Sequence, residues 1–133
     1  LTPEAEQDLF PLFLSEEIGV LAYSPLYRGL LCGKFSGEET FDDVRKGDPW
    51  FTGQKFKQTA QRVKRLGPIA EQYGLSITQL VLAATIANPA ITCAIAGIKN
   101  EKQIEEAAGA MGKEISRWDY YQIRKALVSE NWP

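Results

Sequence analysis

Two stretches decide how this chain reads: "GVLAYS", residues 19–24, and "TCAIAG", residues 92–97. Both are short runs of small and apolar residues, without the alternation that marks a strand with one wet face. Such runs predict parallel strands, apolar on both faces and covered on both sides. Each ends in turn chemistry. Ser24-Pro25 is followed by Leu26-Tyr27-Arg28-Gly29, and Gly97 by Ile98-Lys99-Asn100.

Helical patterns surround the two runs. Thr2 is placed as an N-cap with Pro3 at the first helical position, and the helix is expected to run to about Glu17, kinked or restarted at Pro11 and stopped by Gly19. Residues 56–73 carry Ala60, Val63, Leu66, Ala70 and Tyr73 near one face, with a bend or break at Gly67-Pro68 and a stop at Gly74. Ser76-Ile77-Thr78-Gln79 is a capping-box pattern for a helix with Leu80, Val81, Ala84 and Ala87, ending before Asn88-Pro89. Asn100 to Gln103 repeats the pattern for a helix to about Met111. Ser116 caps a last helix to about Ser129, with Ile115 and Tyr120 as its staple.

Strands alternating with helices give an α/β class with parallel strands. The expectation is one domain over residues 1–133, two strands and about five flanking helices. Two strands are few. A two-stranded parallel sheet has two open edges and buries itself poorly.

Composition narrows the function classes. A net charge of -2 and scattered basic residues argue against a nucleic-acid partner. The chain has no histidine, which excludes a histidine triad and most zinc chemistry, and no metal ligand set is expected. No apolar run approaches the ~18 residues of a membrane span. Cys32 and Cys93 lie in apolar, strand-like contexts outside any CxxC pair. They read as free thiols of a cytoplasmic protein.

Chemistry is expected at the two strand ends. A strand leading into a helix N-terminus aims backbone N–H groups and a positive dipole end at one spot, which suits a phosphate. Arg28, Lys34 and Lys99 are placed to add charge there. Residues 36–55 have no period and many turn formers, and predict a long surface loop of the kind that serves as a lid or binding loop. Within it Trp50 and Phe51 are expected at an interface, whereas Trp118 is expected in ordinary packing and Trp132 is unassigned.

"GVLAYSPLYRGLLCGKF", "YGLSITQLVLAATIANPAITCAIAGIKNEKQIEEAAGAM" and "ISRWDYYQIRKAL" together resemble the C-terminal portion of the aldo-keto reductases, over about residues 1–128. That family is a (β/α)8 barrel that binds NADP(H) without a Rossmann fold. The resemblance implies a partial barrel in which the two strands are the seventh and eighth, where such barrels often bind phosphate. It implies that Ser24 and Leu26 touch the cofactor pyrophosphate and that Arg28, Gly29 and Lys34 line the same loop. Gly97 leads into Lys99, Asn100 and Gln103 around the 2′-phosphate, with Glu106 reaching the adenine and residues 36–55 closing over the cofactor.

The chain departs from the family pattern at three points. Ala107 replaces an Asn usual beside the adenine, and Ala84 replaces a common Trp, leaving a smaller core residue. The family's catalytic Asp, Tyr, Lys and His belong to an N-terminal portion that nothing here matches, so no catalytic residue is assigned. A full barrel takes roughly 250 residues. The expectation is therefore a truncated aldo-keto reductase that is inactive as an isolated chain, with weak NADP(H) binding at most. Its open edges are expected to be covered by self-association, most simply a dimer, or by a missing N-terminal barrel portion, as in a split or cleaved enzyme.

Overall fold

The computed structural model describes residues 4–127. Thr2, Pro3, Trp132 and the expected helix end at Ser129 lie outside the described residues. In chain order the elements are α1 (Glu4–Ser15), β1 (Leu21–Tyr23), α2 (Gly53–Lys64), α3 (Gly67–Gln72), α4 (Ile77–Ile86), β2 (Cys93–Ile95), α5 (Glu101–Ala108) and α6 (Arg117–Leu127). Two 3-10 segments lie between β1 and α2: Tyr27–Cys32, broken by a left-handed kink at Arg28 and Gly29, and Pro49–Phe51. The two strands are parallel neighbours, with Leu21 opposite Cys93, Ala22 opposite Ala94 and Tyr23 opposite Ile95.

The helix starts follow local chemistry. Ser76 and Gln79 form the complete reciprocal capping box at α4. Asn100 Oδ1 accepts from the Gln103 N–H, while Gln103 Oε1 accepts from the Lys99 N–H, so α5 has the same box shifted one residue back. Ser116 caps α6 through the Asp119 N–H. The 56–73 run divides at Gly67-Pro68 into α2 and α3, the interruption expected there, and the described residues form six helices, against about five expected. α1 continues through Pro11 without the expected restart. α2 starts at Gly53, earlier than expected, and this places Phe56 inside the helix and fully buried.

α4 is the centre of the main apolar cluster. Leu80 to Ala84 are all buried, packed with Val63, Leu66, Ala70, Leu75, Ala110 and Ile123 from four neighbouring segments. A helix apolar nearly all round has to be enclosed. Ala84 borders an open cavity of about 250 Å³ shared by Phe10, Ala22, Val81, Tyr120 and Ile123. That is the space a larger residue at position 84 would fill.

The strands correct two expectations. They are shorter than 19–24 and 92–97, and they are covered on one side only. Ala22 and Ala94 are half-buried, whereas Leu21 is 62% exposed, Tyr23 83% and Ile95 46%. The apolar pattern holds, but among the described residues helices pack against only one face of the sheet. Cys32 also lies in the 3-10 segment after β1, not in a strand, while Cys93 is exposed in β2. Both are free thiols.

Candidate functional site

Both predicted loops leave the C-terminal ends of paired strands, so Ser24 and Gly97 emerge from one edge of the sheet. The loop after β1 is tightly wound. Ser24, Tyr27 and Arg28 have φ of 54°, 43° and 53°, and Gly29 follows at 86°. Left-handed backbone costs a residue with a Cβ ~1–2 kcal/mol, so three such residues within five positions are kept only by compensating contacts. Leu26 supplies some of them: its side chain packs on the main cluster and its carbonyl accepts from the N–H groups of Gly29 and Leu31.

The remaining contacts come from residues 36–55, which are pinned down along their length. Phe35, Phe41, Phe51 and Phe56 form a cluster of edge-on and tilted rings 5.3–6.1 Å apart, and Tyr27 stacks on Phe51 at 6.1 Å. Trp50 is half-buried against Tyr27, with Lys55 Nζ 3.5 Å from its ring centroid. Phe51 and Trp50 are therefore packing residues, whereas Trp118 is 71% exposed, the reverse of the expectation. Arg45 lies 4.1 Å from the Phe41 centroid and donates to Asp43 through Nε at 2.9 Å. That guanidinium holds the Asp43 carboxyl down to about 2, and Lys99 contributes from across the site. Bonds from the backbone and hydroxyl of Ser36 and the Gly37 N–H hold Glu39 at about 2.

Of the predicted residues near β1, Arg28 reaches back to the loop. Its Nη1 donates to Asp48 Oδ2 at 2.8 Å and to the Val44 carbonyl at 2.9 Å. Lys34 is exposed, with Nζ 5.1 Å from the Phe35 centroid, and it runs past Gly29, where a Cβ would meet that nitrogen at 3.2 Å.

The loop after β2 is built differently. Gly97, Lys99 and Asn100 are exposed and none has a left-handed backbone. The Asn100 and Gln103 side chains are engaged in capping α5. Glu106, half-buried on α5, accepts from Ser76 Oγ at 2.9 Å. Its charge adds to the burial that pushes the Cys32 thiol up. The structure thus brings Glu106, the α4 cap and the segment after β1 together, and carries Asp43 towards Lys99. Sequence reasoning missed Asp48, although Asp-Pro at a helical start is an N-cap signal.

Residues 1–128 match the Aldo/keto reductase family model, and the chain belongs to that family. It is 32% identical over 127 residues to an aldo-keto reductase of Bacillus subtilis, covering 93% of this chain and 38% of that protein. A probable voltage-gated potassium channel subunit beta of Arabidopsis thaliana is 31% identical over 112 residues, covering 77% of this chain and 33% of that one. A glycerol dehydrogenase of Gluconobacter oxydans has the same fold, with a TM-score of 0.84 at 25% identity, over 93% of this chain and 38% of its own. The two parallel strands and their helices are therefore part of a (β/α)8 barrel, and the chain spans 33–38% of the length of these relatives.

Proposed function

We propose that residues 24–34 and 97–106 grip the adenosine and pyrophosphate portions of NADP(H), and that residues 1–133 alone do not complete a hydride transfer. The family's use of nicotinamide cofactors sets the ligand class. The observation that carries the reading is the left-handed run Tyr27-Arg28-Gly29 at the end of a parallel strand. Strain of this kind persists where a site is shaped in advance. Gly97 adds to it. Its backbone does not need glycine and a Cβ there would meet nothing within 4 Å, so the fold has no use for the missing side chain. Close approach of a ligand to the backbone does. Ser24, Leu26, Arg28, Gly29 and Lys34 serve the pyrophosphate. Lys99, Asn100 and Gln103 serve the 2′-phosphate, and Glu106 the adenine. Calorimetric titration tests this: NADPH is expected to bind more tightly than NADH, through Lys99. Equal affinity for the two would overturn the assignment. Turnover of a simple aldehyde with NADPH, surviving contaminant controls, would overturn the inactivity.

The exposed side chains of Leu21, Tyr23 and Ile95 favour a second role for the sheet, as an interaction surface. A symmetric dimer covers it most simply, and a chain carrying the other barrel strands covers it most completely. A monodisperse monomer on light scattering would remove the dimer, and a co-purifying family member would favour the second arrangement. A cytoplasmic location goes with this reading, because free thiols suit a reducing compartment. Cell fractionation checks it.

A further inference from the structure

Asp48 is the acidic residue to which two left-handed residues of the β1 loop, Tyr27 and Arg28, are bonded. Its side chain is only 12% exposed. Oδ1 accepts from the Trp50 N–H at 2.8 Å and so caps the 49–51 turn. Oδ2 accepts from the Tyr27 hydroxyl at 3.3 Å and from Arg28 Nη1 at 2.8 Å. One carboxylate therefore ties down two adjacent left-handed residues from twenty and twenty-one positions away. Arg28 spends Nη1 on Asp48 and Val44, while its Nε and Nη2 have no hydrogen-bond partner among the described residues and its side chain is 45% exposed. A guanidinium with one nitrogen tethered and its Nε–Nη2 edge open is a pre-oriented fork for a phosphate.

We infer that Asp48 is a positioning residue for anion binding: by holding Tyr27 and Arg28 in their left-handed turn, it orients the Arg28 guanidinium toward a diphosphate-bearing ligand. The inference rests on the assignment of residues 24–34 to a pyrophosphate. Orientation by an acidic partner lowers the entropy lost on binding, because the long side chain is ordered before the ligand arrives. The same carboxylate also stands as a rival to phosphate for Arg28, so the sign of its effect is the decisive measurement.

The experiment is a titration of residues 1–133 with NADPH and with adenosine 2′-monophosphate, which carries the 2′-phosphate but no phosphate on the 5′ oxygen. Asp48→Asn keeps an acceptor for the Trp50 N–H and removes the charge. Its affinity for NADPH is expected to fall roughly tenfold, with the 2′-monophosphate unchanged within about twofold. Asp48→Glu keeps the charge and caps poorly, so positioning ranks it above Asn, whereas a purely structural cap ranks it below. In an Arg28→Ala background, Asp48→Asn is expected to cost nothing further. Tighter NADPH binding by Asp48→Asn, equal weakening towards both ligands, or Glu ranking below Asn would each overturn the inference. Binding of the 2′-monophosphate with none of NADPH would overturn it too, while failure of the unaltered chain to bind either ligand would remove the cofactor reading itself.

Discussion

The turns that follow β1 and β2 leave neighbouring strands side by side and are built in opposite ways. After β1, three residues with side chains adopt left-handed backbone, held by a carboxylate and an aromatic cluster contributed by the next thirty residues. After β2, the chain takes ordinary conformations, is exposed from Gly97 to Asn100 and is held by Ala96 against the main cluster and by the cap of α5. The first turn is shaped before any ligand arrives and its cost is met by packing. The second is open, and its shape from Gly97 onward depends on local hydrogen bonds.

Breaking the support of the first turn has the largest expected effect. Phe56 is buried at the centre of the aromatic cluster, so Phe56→Ala is expected to cost about 3–5 kcal/mol in denaturant unfolding. It should also open trypsin cleavage at Arg45 and Lys46, and Phe56→Leu gives a milder version where Ala does not fold. Next, Gly29→Ala places a Cβ on a residue with φ 86° and is expected to cost ~1–2 kcal/mol. On the second turn, Asn100→Ala removes the α5 cap and should cost about 1 kcal/mol, without exposing the 36–55 segment to protease.

Acid offers a smaller test. Asp43 and Glu39 are depressed to about 2, so their contribution is complete above their unfolded values near 4 and is lost as pH falls towards 2. Backbone amide shifts of residues 36–45 are expected to report loosening in that window, with no matching loss of structure at α5. Both groups are close to solvent, so the effect shrinks in salt. The smallest effect sharpens the contrast most: Gly97→Ala should leave stability within about 0.5 kcal/mol, since neither its backbone nor its surroundings require glycine. Its NADPH affinity should nevertheless fall, and an unchanged affinity would return Gly97 to an ordinary turn.

These regions also differed in how legible they were. The β2 turn was readable in detail: Asn100 and Gln103 meet through three or four residues of chain, so their pairing is a local matter. The strand positions were readable as apolar runs between turn formers, but the uncovered face was not. Leu21 and Tyr23 have the same identities whether or not a layer lies over them. In sequence, residues 36–55 look like a plain loop because Phe41, Trp50 and Phe51 follow no period, and aromatic rings that converge from irregular backbone leave no repeat to find. Trp118 misled in the opposite sense, since its helical position does not tell that its side of α6 faces solvent.

By itself the sequence determined the two strands, the caps at Ser76, Asn100 and Ser116, and the family, because each is written in neighbouring residues or in motifs kept in order. Tertiary structure alone decided that Arg28 answers to Asp48, that the four phenylalanines form one cluster, and that one face of the sheet is bare. Those outcomes depend on groups far apart in the chain meeting in space, and that meeting is set by the packing of the whole helix layer.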